Sequence, residues 1–291
     1  MMYPAGGCTT NRNSPPRGEV WMNWERATSL LTGLTLCGLA CTKVPYTDRL
    51  QMTLVPKKTM HAMGAQAYAD TLATATVVKG TEDARLVKAV GRSIAAVANE
   101  PDFAWTFNLL NDDQVNAWCL PGGYIAFYSG ILPALKNEAG LAFVMGHEVG
   151  HATARHGAER VSQQVAMLGG LTVLDALLSG SDQVSDETRA LTMGAIGLGA
   201  EVGVLLPFSR RHEAEADTIG LFYMADAGYP PAESVRVWER MEAMGGASGP
   251  AFLSTHPTND RRIDNLKDWM PEAKKRYKRN KRDYDTRVAR W

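Results

Sequence analysis

The chain has 291 residues, 45% hydrophobic and 21% charged, enough to bury a substantial core as one large or two ordinary domains, so disorder as the dominant state is excluded. Its 31 Lys and Arg balance 31 Asp and Glu, and a net charge of zero leaves no global field to draw nucleic acid, which is not expected as a partner. Four cysteines (Cys8, Cys37, Cys41, Cys119) without a Cys-x-x-Cys spacing exclude a zinc ribbon and a disulfide scaffold, so any metal must be held by His and carboxylates.

In chain order, residues 1–21 are rich in Gly and Pro with no apolar period and read as a disordered extension or a misplaced start. Residues 22–40 read as a signal peptide: Met-Asn-Trp-Glu-Arg, then a mostly apolar or small run over 27–40, too short for the roughly 20 residues a bilayer span needs. Gly38-Leu39-Ala40-Cys41 resembles a bacterial lipoprotein signal, in which Cys41 would carry lipid and begin the mature chain; a plain cleaved signal, an uncleaved anchor or a buried helix are the alternatives. Thr42 in place of Asp after that cysteine favours the outer membrane. Residues 41–58 are then the lipidated cysteine and a polar, irregular tether, followed by a folded domain over 59–272.

Small and apolar residues recur at helical spacing over 61–78, and Thr81 before Glu82 and Asp83 predicts a helix start. Leu86, Val90, Ile94 and Val97 form its inward stripe. Strand-like runs over 104–110, 115–120 and 124–128, separated by turn residues, predict a small antiparallel sheet. From 137 to 268 the pattern is helical, with breaks near 180–185, Pro207, 228–231 and 245–257, so the fold class is α+β, mainly helical with one small sheet. Apolar segments 165–178 and 191–206 are short for membrane spans and read as a buried pair or a plug. Residues 274–291 carry nine basic and two acidic residues and read as a solvated tail, drawn from 273, or as a surface for phosphates or headgroups.

The chemistry concentrates in His147-Glu148-Val149-Gly150-His151, inside a helical run over 140–160. Positions i and i+4 share a helix face, so both imidazoles reach one metal, with Glu148 beside it to take a proton from its water. A third ligand ten residues after His147 is absent, since Gly157 stands there, and His156 falls on the far side of a continuous helix. Downstream, Ser209-Arg210-Arg211-His212-Glu213-Ala214-Glu215-Ala216-Asp217 opens a helix with Glu213 and Asp217 on one face. Two His and one Glu around zinc, with a fourth position open, make a hydrolytic site.

These residues resemble the zinc peptidase family of the CAAX prenyl proteases, the HtpX heat-shock peptidases and the Oma-type mitochondrial peptidase, peptidase family M48, and most nearly its soluble bacterial lipoprotein branch, of the BepA and LoiP kind. Asn116-Ala117-Trp118 with Pro121-Gly122-Gly123, His151-Ala152-Thr153-Ala154-Arg155-His156, and Ser254-Thr255-His256-Pro257 with Arg261 or Arg262 extend the likeness over residues 44–272. The resemblance implies a gluzincin-type domain with one Zn2+ held by His147, His151 and Glu213, not Glu215, and catalysis by Glu148. Asp217 would orient a ligand imidazole, its alternative being a helix-surface charge. His256 would donate to an oxyanion or close over the metal as a reversible fourth ligand, or be merely structural. His61 and His212 read as solvent-facing or capping residues and His156 as structural. The strand with Asn116 and Ala117 would bind extended peptide by its edge. The implied function is endoproteolysis of misfolded or unassembled envelope proteins on the periplasmic face of the outer membrane, through a lipid anchor; the alternative is an assembly factor or chaperone with a normally closed zinc site. The sequence leaves the oligomeric state open.

Overall fold

A computed structural model describes residues 41–167, 209–244, 251–257 and 260–281. The extension and signal over 1–40, residues 168–178 of the first apolar segment, all of 191–206 and the last ten residues lie outside the described residues.

The stretch after Cys41 is not a loose tether. Strands β1 (Cys41–Lys43) and β2 (Leu50–Met52) pair antiparallel, Thr42 opposite Gln51, and Val44, Gln51 and Val55 are buried in the body. Strands of three residues in a polar stretch give no readable period, and their burial comes from distant partners. Helix α1 (Lys57–Thr74) follows. Helix α2 (Glu82–Ala98) starts as its sequence predicts, with the Thr81 hydroxyl accepting the Ala84 N–H. Val90 and Ile94 of its apolar stripe are fully buried, while Leu86 and Val97 are half-buried.

Strands β3 (Thr106–Leu110), β4 (Ala117–Leu120) and β5 (Tyr124–Tyr128) form the small sheet in the order β3-β5-β4. Its pairing is mixed where an antiparallel sheet was expected. β4 and β5 are an antiparallel hairpin, but β3 runs parallel to β5, Thr106 opposite Tyr124. The turn at 121–123 brings β5 back between its predecessors and leaves β4 on the edge. Alternation identifies a strand but not the direction of its neighbour.

After the short α3 (Leu132–Leu135), Asn137 caps α4 (Glu138–Thr153) by accepting the Gly140 N–H. Helices α5 (His156–Met167), α6 (Arg210–Asp226), α7 (Glu233–Ala243), α8 (Ala251–Thr255) and α9 (Asp260–Asn280) complete the described body. The basic stretch is therefore no free tail at its start: α9 continues through Asn280, and Arg276 pairs with Asp226 of α6 at 2.8 Å while lying over the Phe222 ring. No helix among the described residues is long and apolar enough to cross a membrane.

The α4–α6 contact sets the site. A Cβ on Gly146 would meet the Gly220 carbonyl oxygen at 2.8 Å, and one on Gly220 would meet the His147 backbone nitrogen at 2.6 Å. The backbones touch because neither glycine has a side chain. Gly220→Ala must push the helices apart, and a loss of about 1–3 kcal/mol is expected in thermal unfolding; an unchanged Tm would contradict this packing.

Candidate metal centre

Ser209 accepts the His212 N–H and caps α6, and this registers Glu213 and Asp217 against His147 and His151 of α4. His147, Glu148, His151, Glu213, Asp217 and His256 are all buried. One ligand atom each from His147, His151, Glu213 and His256 lies within 4.8 Å of the others. His147 Nε2 is 3.1 Å from His151 Nε2 and 3.2 Å from His256 Nδ1, and Glu213 Oε1 is 3.4 Å from His151 Nε2 and 3.2 Å from His256 Nδ1. Four ligands at zinc distance in a tetrahedron are separated by about 3.3 Å. The donor set and these separations therefore fit a divalent ion, and the four side chains form one group that could hold a metal.

The electrostatics favour a cation at the same point. Burial alone would depress His147, but Asp217 and Glu213 outweigh it and lift its pKa to about 9. His151 is held well below the usual imidazole range by burial, and so stays neutral. Burial opposes charge on Glu213 and Asp217 too, yet His256, Arg262 and His151 hold Glu213 well below the usual carboxylate range, and Arg262 and His147 hold Asp217 below it.

Asp217 Oδ1 lies 3.0 Å from His147 Nδ1, while Arg262 donates Nε to Oδ2 at 2.7 Å and Nη2 to Oδ1 at 2.8 Å. A carboxylate only accepts, so His147 donates from Nδ1 and turns Nε2 towards the other ligands. Of the two adjacent arginines in the motif, Arg262 is the buried one, and it also lies 2.8 Å from Glu213 Oε2 and over the Trp238 ring.

Glu148 sits on the inner side of the sheet's edge strand, where the backbone N–H of Cys119 in β4 reaches its carboxylate. Burial raises its pKa, although His256 and His147 draw it down. Its buried Oε1 has no hydrogen-bond partner, and His256 Nε2 stands 3.5 Å away. Ala117 lies in the same edge strand, paired to Phe127; Asn116, just before it, is buried, with its side chain accepting the Ala117 N–H and its carbonyl the Tyr128 N–H.

Two histidines differ from the sequence reading. The helix over 140–160 is broken: α4 ends at Thr153, Arg155 takes a positive φ of 57°, and His156 begins α5. That turn swings the His156 ring towards the site, Nδ1 at 3.0 Å from His151 Nδ1 and Nε2 at 3.2 Å from Glu215 Oε2. His212 is buried, not solvent-facing, with Nε2 3.0 Å from Glu159 and its ring stacked on His156. His61 is half-buried against Phe103. No Gly or Pro marks the break at 154–155, so the sequence carries no signal for it.

A sequence model described as peptidase family M48 matches residues 81–270. The chain is 38% identical over 189 residues to a mitochondrial metalloendopeptidase OMA1 of Schizosaccharomyces pombe, covering 64% of this chain and 53% of the relative. It is 30% identical over 243 residues to the mitochondrial metalloendopeptidase OMA1 of Danio rerio, covering 79% and 50%. To a beta-barrel assembly-enhancing protease of Yersinia pestis it is 27% identical over 202 residues, covering 68% and 41%. The chain spans about half the length of the curated relatives it matches. It belongs to peptidase family M48.

Proposed function

We propose that this M48 chain is a zinc-dependent metalloendopeptidase that holds one Zn2+ through His147, His151 and Glu213 and cleaves unfolded or unassembled proteins at the cell envelope. The observation that carries the reading is the convergence of four buried ligand atoms, one each from His147, His151, Glu213 and His256, beside an unpartnered buried oxygen of Glu148. Two or three imidazoles with one carboxylate suit zinc. When bound, the ion supplies Lewis acidity to the scissile carbonyl and the attacking water.

The protein's own groups do the rest. Glu148 accepts the proton of the attacking water and passes it to the leaving amine, and its raised pKa suits both steps. Asp217, clamped by Arg262, keeps His147 Nε2 aimed inward. β4 is an edge strand of the small sheet, and on this account an extended peptide adds beside Glu148 by main-chain hydrogen bonds, with little demand on side-chain identity.

The resting state on this account is closed by His256, a reading supported by its Nδ1 lying 3.2 Å from both His147 Nε2 and Glu213 Oε1 within the ligand group. His256→Ala leaves three ligands, so zinc is retained and casein cleavage rises several-fold over the parent chain. Cleavage that falls instead would assign His256 to oxyanion stabilisation. The closed geometry also favours a second reading, an envelope assembly factor or chaperone that binds clients with its site shut. An envelope phenotype left intact by Glu148→Gln would support it.

The address is proposed from the segment before Cys41: residues 22–40 act as a signal, and lipid on Cys41 anchors the chain to the periplasmic face of a bacterial outer membrane. The name of the Yersinia pestis relative supports an envelope setting. Cys41→Ser abolishes fatty-acid labelling on this account; persistent labelling would exclude Cys41 as the anchor.

A further inference from the structure

Behind His151 runs a chain of contacts that leaves the site and ends in the hairpin following Cys41. Arg49, in the loop before β2, is largely buried and makes two forks. Its Nη1 and Nη2 donate to Glu159 of α5 at 2.8 and 2.7 Å, and its Nε donates to Glu215 of α6 at 2.7 and 2.9 Å. Thr47 of the same loop donates its hydroxyl to Glu215 at 3.0 Å. Glu215 then meets His156 Nε2, and His156 Nδ1 meets His151 Nδ1.

Direction follows from the donors. Glu215, paired to a guanidinium, can only accept, so His156 spends its proton on Nε2 and presents a lone pair at Nδ1. His151 must then donate from Nδ1, which leaves Nε2 as a lone pair facing His147, Glu213 and His256. The hairpin grips the neighbouring backbone as well. Gln51 donates to the Ala154 carbonyl at 2.7 Å, and the Leu54 N–H donates to the Ser162 hydroxyl at 2.7 Å. Ala154 lies in the break that turns His156 onto His151.

We propose that Arg49 is a positioning residue of the metal centre, which through Glu215 and His156 fixes the tautomer and ring orientation of His151, so that docking of the hairpin next to Cys41 and metal affinity are coupled. This rests on the metalloprotease reading above. Coupling is reciprocal: the metal tightens the hairpin, and release of the hairpin loosens the metal.

Glu159 and Glu215 separate positioning from mere docking, since both hold Arg49, but Glu215 meets the His156 ring nitrogen whereas Glu159 meets His212, which reaches His156 only through ring stacking. The purified full chain is titrated with zinc against a chromophoric chelator, as parent, Arg49→Ala, Glu215→Gln and Glu159→Gln, with circular dichroism of the metal-free proteins as the folding control. Glu215→Gln and Arg49→Ala weaken zinc binding by about 10- to 100-fold, and Glu159→Gln stays near the parent value. Added zinc slows hydrogen exchange in β1 and β2 of the parent but not of Glu215→Gln. If Arg49→Ala does not fold, the two glutamate variants carry the test. Parent-like affinity in Glu215→Gln, or an equal loss in Glu159→Gln, overturns the proposal alone. A parent chain that binds no zinc overturns the metal reading and this proposal together.

Discussion

Glu148→Gln is expected to keep its zinc and lose casein cleavage by about a thousandfold. The substitution keeps the shape of the side chain and removes only its ability to take a proton. Glu148 lies outside the ligand group, so metal content stays with His147, His151 and Glu213. It is buried, and its Oε1 is without a hydrogen-bond partner, so the amide loses no hydrogen bond there. The carboxylate also receives the Cys119 backbone N–H, and the variant keeps this contact with its amide oxygen turned towards β4. Zinc content by emission spectroscopy and casein digestion check the two halves separately. Loss of zinc together with activity would make Glu148 structural, and retained cleavage would exclude it as the base.

The largest stability effect is expected at Arg262. Its guanidinium is buried, bridges Asp217 and Glu213, reaches the His256 and Pro257 carbonyls at 3.3 Å, and lies 3.9 Å from the Trp238 ring centre. Arg262→Met keeps the apolar stem but leaves two buried carboxylates without their cation, a loss of about 3–5 kcal/mol. For a body of this size that lowers Tm by on the order of 10 °C. A bound divalent ion offsets part of the deficit, so the drop is greater in metal-free protein. Arg262→Lys recovers only part, because an ammonium can neither fork across Asp217 nor stack on Trp238. A metal-free Arg262→Met protein melting with the parent would mean that the two carboxylates do not depend on this charge.

The metal helix and its partner were legible because their signals are local. His147 and His151 recur at helical spacing, Glu213 and Asp217 do the same, and Ser209 is a cap by chemistry. The strands near 106–128 were bounded by turn residues, and Thr81 marked its helix. What escaped depends on partners far away in sequence. Arg49 gains meaning only from Glu159 and Glu215, 110 and 166 residues on, so its hairpin read as a polar tether. Helical periodicity turns His156 away from the site, whereas a left-handed Arg155 interrupts the helix without a glycine and turns it inward. The basic run after Glu272 reads as solvated, yet the helix continues through Asn280 and Arg276 docks on α6.

Arg49 and His156 meet in one region. The hairpin beside the proposed anchor and the misread histidine are the two ends of the contact chain behind His151.

The most direct measurement is zinc content and casein cleavage of the purified chain before chelation, after it, and after zinc is returned. The account predicts one zinc per chain, cleavage abolished by chelation and restored by a single equivalent. A chain that carries no zinc, or cleavage that survives chelation, would contradict it.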